Sequence, residues 1–179
     1  MRPTGVTGTG GGSRSRHLHL QHFEHAGGTH AAADAHGDAH APGTAALGGN
    51  YGLSLAAAAS LNASGDINVA ADSASYTGIY AQGTIASTRG NVVLLGKGVD
   101  GVNAAGAITV GSVGYVRALT ITGTATSGAA VTTSAAVSAT GAITLTGYTN
   151  VGDYGLNVGS TLASTVAGDV ILSGHSATT

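Results

Sequence analysis

The sequence predicts an all-β chain: a parallel β-helix of about five coils over residues 48–179, behind a disordered leader over residues 1–47. Three observations carry this. Aliphatic residues return about every 25 to 26 positions, short runs alternate aliphatic with hydroxyl side chains, and glycines recur in step with both.

The leader has no periodicity. It joins Gly and Ser runs to seven histidines and contains few large apolar groups, so ordering it would cost backbone entropy with little burial in return. Its sharper reading is a metal site. In "HLHLQHFEH", His22 and His25 lie one helical turn apart with Glu24 between them; in "DAHGDAH", His36 and His40 are four residues apart beside Asp34 and Asp38. Imidazole with carboxylate suits zinc, nickel or copper. Gly27, Gly28, Gly37 and Pro42 leave no rigid helix to hold the donors, so the expectation is adventitious uptake, with no metal or other cofactor required.

In the repeat, the first strand of each unit is marked by Leu53, Ile79, Val102, Val131 and Leu156. The second is marked by Leu61, Ile85, Ile108, Val137 and Leu162. The third is the sharpest: Ile67, Val92, Leu119, Ile143 and Val170 recur at separations of 25, 27, 24 and 27 residues. Two residues on, Val69, Leu94, Ile121, Leu145 and Leu172 repeat the same intervals. A two-residue step places both aliphatics of a pair on one face of a strand and the intervening Thr or Asn on the other. These twenty positions are the expected core. The variation in length falls between strands, as it must if extra residues loop outward while the strands stay in register.

Other repeat architectures agree less well. A leucine-rich repeat asks for a fixed Leu lattice and an Asn in each unit, a propeller blade asks for more residues, and Ala-rich helices would not tolerate this density of Gly, Thr and Val. Glycines complete the pattern. Gly65, Gly90, Gly141 and Gly168 each stand two residues before a third-strand aliphatic, and Gly96, Gly123, Gly147 and Gly174 stand where that strand is expected to leave its sheet. Both sets are expected at corners, where glycine permits positive φ and close approach between coils. In the first unit Ala70 and Ala71 replace the closing glycine.

Composition narrows the function. Six Lys and Arg against eight Asp and Glu give a net charge of -2, which cannot neutralise a nucleic-acid backbone. The chain has no Cys, so a thiolate metal site is excluded. It shows neither a signal-peptide pattern nor a transmembrane segment.

Catalysis would need clustered carboxylates or a calcium site with a nearby base. The repeat holds only Asp66, Asp72, Asp100, Asp153 and Asp169. Asp66 and Asp169 fall four coils apart, about 19 Å at about 4.8 Å per coil. Asp100 and Asp153 fall in matching turns two coils apart, so turn capping is expected of them. Tyr51, Tyr76, Tyr80, Tyr115, Tyr148 and Tyr154 are candidates for a shallow face on which a glycan could stack, with Tyr51, Tyr76 and Tyr154 expected near one corner of three coils. The outward Thr120, Thr122, Thr144 and Thr146 form two Thr-x-Thr steps, too few for an ice-binding lattice. Val93, Leu95 and Ile171 are expected as an exposed apolar strip, or as a surface covered by a loop or a second chain.

The units "GIYAQGTIASTRGNVVLLG" and "YGLNVGSTLASTVAGDVILSGHS" resemble the passenger repeats of the filamentous haemagglutinin family, the large exoproteins of Gram-negative bacteria exported by two-partner secretion. Autotransporter passengers share the same grammar. The resemblance covers about residues 48–175. It implies a right-handed β-helix displayed on the cell surface or secreted, with adhesion or stalk formation as its use. The family's amino-terminal secretion domain is not recognisable here and no capping helix follows "VILSGHSATT", so the expectation is a fragment of a longer exoprotein.

The functional expectation is therefore a non-enzymatic structural or adhesive segment. Its expected partners are host-surface or glycan ligands, or further copies meeting at the open ends of the helix. The alternative is a carbohydrate-active β-helix enzyme, a polysaccharide lyase or hydrolase.

Overall fold

The computed structural model describes residues 17–19, 31–32, 38–44, 51–151 and 154–177, and every regular element among them is a strand. In chain order the first three are β1 (His17–His19), β2 (Ala31–Ala32) and β3 (Asp38–Thr44). Five coils of three strands follow. They are β4 (Leu53–Leu55), β5 (Ser60–Ala63) and β6 (Ile67–Asp72); β7 (Ile79–Ala81), β8 (Thr84–Ser87) and β9 (Val92–Gly98); and β10 (Val102–Ala104), β11 (Ile108–Val110) and β12 (Leu119–Ala125). The last two coils are β13 (Val131–Thr133), β14 (Val137–Ala139) and β15 (Ile143–Thr149), then β16 (Leu156–Val158), β17 (Leu162–Ser164) and β18 (Val170–Ser176).

Each strand pairs in parallel with its counterpart one coil away, which makes three sheets: β1-β3-β6-β9-β12-β15-β18, β4-β7-β10-β13-β16 and β2-β5-β8-β11-β14-β17. The fold is a parallel β-solenoid. Backbone bonds continue the ladder through the corners, as where the Gln82 N–H donates to Leu55 O at 2.8 Å and Ser134 N–H to Ala104 O at 3.0 Å. Among the described residues, no helix is long and apolar enough to cross a membrane.

Register follows the aliphatic columns. Val92 stands opposite Ile67 and Leu119, Ile143 opposite Leu119 and Val170, and Ile121 opposite Leu94 and Leu145. The other two sheets align Ile79 with Leu53 and Val102, Val131 with Val102 and Leu156, Ile85 with Leu61 and Ile108, and Val137 with Ile108 and Leu162. From Leu61 to Leu145 these residues form one buried cluster, with Leu53, Leu156 and Leu162 half-buried against it. A one-residue slip in any strand would turn its aliphatics to water, so burial and register enforce one another.

Two expected core residues differ. Val170 and Leu172 hold the same register as the column above them yet are 41% and 50% exposed. The reason is position: β18 is the last strand of its sheet, and no described strand stacks on its far side.

N-terminal to the repeat, β3 aligns Ala39, Ala41 and Gly43 with Ile67, Val69 and Ala71, and β2 pairs with β5. Backbone pairing brings these segments to the first coil with no aliphatic repeat to announce it. The expected metal ligands His22, His25 and His36 and the carboxylate Asp153 lie outside the described residues, as does the side chain of His40.

The glycine assignment needs correction. Gly96, Gly123, Gly147 and Gly174 do not end the third strand; each is the fifth residue of a seven-residue strand, and they pair with one another in register. Of the eight expected corner glycines only Gly168 has positive φ, at 123°. Proximity explains most of the others. A Cβ on Gly123 would stand 1.8 Å from Ala130 O, where the backbone entering the next coil presses against the strand. Equivalent approaches hold Gly147 against Gly155 O, Gly96 against Gly101 O and Gly90 against the Gly65 carbonyl carbon; a Cβ on Gly141 would stand 2.8 Å from Arg117 O, and Gly174 sits less tightly against Leu156. Gly65 is half-buried, and its carbonyl accepts the Ser87 hydroxyl at 2.6 Å. Ala71 takes the place of this column's glycine in the first coil and is buried.

Candidate functional site

The carboxylates of the repeat are built into its turns. Asp100 Oδ1 accepts the Ala129 N–H from the following coil at 3.1 Å, and its Oδ2 accepts the Thr77 hydroxyl from the preceding coil at 3.2 Å. Asp66 Oδ1 accepts the Asn91 N–H at 2.6 Å, and Asn91 Oδ1 in turn accepts the Ala118 N–H at 3.0 Å. This ladder explains why Asp and Asn occupy one position of successive coils: each short acceptor reaches the amide one coil on. Asp72 pairs with Lys97 at 3.5 Å on the outer face, where both are exposed. Among the described residues, no three His, Asp or Glu side chains come together as a metal-binding group.

The tyrosines assemble differently from expectation. Tyr51 stacks on Tyr80 with ring centroids 5.0 Å apart and planes 15° apart, and meets Tyr76 edge-on at 5.3 Å. Tyr154 has no ring contact with them. Tyr80 is the outward residue of β7 and pairs in register with Ser54 of the preceding coil. The sequence offers Tyr80 among six candidate tyrosines without setting it apart; only the placement of Tyr51 reveals the stack.

On the third sheet, Thr120 pairs with Thr144 and Thr122 with Thr146, a two-by-two patch that is half-buried. The same rows carry Val93 and Leu95 in the second coil and Ile171 and Ser173 in the fifth. Leu95 and Ile171 are exposed and Val93 is half-buried.

Sequence reasoning missed the inserted loop. In the third coil the chain runs eleven residues from Ile108 to Leu119, against six from Leu61 to Ile67 and from Val137 to Ile143. The segment that joins β11 to β12, "GSVGYVRA", is an ordered projection. Gly111 and Gly114 both take φ of 85°, and Tyr115 N–H donates to Ser112 O at 2.9 Å to close the turn. Val113 stands at the tip, 99% exposed.

Neighbouring coils clamp the loop from both sides. Ser112 Oγ donates to Thr88 O at 2.9 Å, and the Arg117 Nε–H donates to Arg89 O. From the other side, Thr140 Oγ1 donates to Tyr115 O at 2.6 Å and accepts the Arg117 N–H at 2.9 Å, while Gly141 N–H donates to Arg117 O at 2.7 Å. The clamps bring together two cations 28 residues apart in sequence. The guanidinium carbon of Arg89 lies 5.2 Å from the centre of the Tyr115 ring, and that of Arg117 lies 5.8 Å from it. The signal available beforehand was the long interval bracketed by two glycines.

Compared with known proteins, the chain matches no family model, no curated protein and no solved structure.

Proposed function

We propose that this chain is a structural and adhesive β-solenoid segment of a bacterial surface or secreted exoprotein, of the filamentous haemagglutinin kind, and that it acts by display without catalysing a reaction. One observation carries the reading: the carboxylates of Asp66 and Asp100 are spent on the amides and hydroxyls of adjacent coils. Polar groups that a hydrolase or lyase would converge on a substrate serve here to hold coil to coil, and the outward faces are what a partner meets. The Tyr51, Tyr76 and Tyr80 cluster offers ring surface of the kind on which sugar rings pack, exposed at Tyr76 and half-buried at Tyr51 and Tyr80.

Adhesion of beads coated with the chain to glycan-coated surfaces tests this. Attachment is expected, with loss on Tyr80→Ala. Absence of attachment, or depolymerisation of an acidic polysaccharide that disappears with Asp100→Asn, would replace display with the enzyme reading. Protease treatment of intact source cells should release the segment if it is carried outside.

A further inference from the structure

We infer that the third-coil loop is a binding site for an oxyanion group, carboxylate or sulfate, carried on an acidic polysaccharide, with Arg89 and Arg117 as its donors and Tyr115 as the platform that orients them. The polymeric ligand rests on the display reading; the anion itself rests on local chemistry.

The repeat region contains three cations, Arg89, Lys97 and Arg117. Lys97 is paired with Asp72. The other two converge on one ring, although two like charges at close quarters repel. Among the described residues neither has a carboxylate partner. Favourable contact with the face of Tyr115 offsets part of that repulsion, and an anion between or beside the two guanidinium groups would offset the rest.

Hydrogen bonding leaves the necessary donors available. Arg117 commits Nε to Arg89 O and Nη1 to Val116 O at 3.2 Å, which fixes its plane with three of its five N–H groups uncommitted. Arg89 is exposed and has no side-chain hydrogen bond among the described residues, so its fork is uncommitted. Because Ser112, Thr140 and Asn91 clamp the loop, little ordering entropy remains to be lost on binding.

Size of effect selects the carrier. A single exposed ion pair contributes about 0.2–1 kcal/mol, too little to retain a free anion. A polymer that repeats the anion gains effective concentration across many displayed copies of the chain. Nucleic acid draws its affinity from many phosphate contacts at once, which two arginines on a chain of net charge -2 do not supply.

The test uses a sensor coated densely with the full chain, exposed to polygalacturonate, dextran sulfate, neutral dextran and duplex DNA. Retention of polygalacturonate identifies the anion as carboxylate, and retention of dextran sulfate identifies it as sulfate. About tenfold weaker retention is expected on Arg89→Gln, with Arg89→Lys between the two because it keeps the charge and loses the fork. Equal retention by Arg89→Gln, equal retention of neutral dextran, or DNA held as tightly as the acidic polysaccharides overturns the proposal. Arg89 contributes no side-chain hydrogen bond to the clamp, so its substitution leaves the fold in place; Arg117→Gln is the second variant, checked by its melting temperature. Tyr80→Ala retains the acidic polymers here while losing bead adhesion, which separates failure of this site from failure of the display reading.

Discussion

The carboxylate of Asp100 takes the Ala129 amide at 3.1 Å, so an acid of the third coil caps a turn of the fourth. Because its second oxygen takes the Thr77 hydroxyl, one side chain ties three successive coils. Asp100→Ala removes both acceptors and strands a part-buried amide. A loss of about 1–3 kcal/mol is expected in urea unfolding, with Asp100→Asn smaller because one carbonyl acceptor remains. An unchanged midpoint for Asp100→Ala would mean that water replaces the cap without cost.

Glycine serves two different needs in this chain, and alanine substitution separates them. At Gly123 a Cβ would lie 1.8 Å from Ala130 O, so the backbone of two coils must move apart; a loss of about 3 kcal/mol or more is expected. At Gly114 a Cβ meets nothing within 4 Å, and only the left-handed φ of 85° resists it, at about 1–2 kcal/mol. Thermal melts of the two variants should rank Gly123→Ala well below Gly114→Ala.

Equivalent aliphatics differ in worth along the axis. Ile121 is fully buried between Leu94 and Leu145, and Ile121→Ala should cost about 2–5 kcal/mol. Leu172 occupies the same column but is half exposed, so Leu172→Ala should cost under about 1.5 kcal/mol. Equal losses at the two positions, measured by denaturant titration, would show that another chain covers β18 in solution.

The strand columns were legible because a period of two, repeated at a near-constant interval, leaves one arrangement in which every Ile, Val and Leu of the set can share an interior. Their register emerged residue for residue at Val92, Leu119 and Ile143. Glycine recurrence was legible, but its cause was not: a sequence shows that Gly123 returns at Gly147 without distinguishing an unusual φ from a crowded neighbour. An open end was expected, but which aliphatics it uncovers was not, since Val170 and Val92 look alike until the stack on each side is known. The meeting of Arg89 with Arg117 depended on how far an eleven-residue step projects and on which side it folds, and interval counting records only that it projects.

The bonds that join coil to coil lie along the axis of the solenoid, and this governs how it would behave under tension. A pull applied at the two ends loads those bonds lengthwise and reaches the outermost coil first, so turns would peel away singly. Each turn of about 25 residues occupies about 4.8 Å when stacked and about 85 Å when drawn straight. Traction on the two ends would meet a spring that lengthens in steps instead of a rod that snaps.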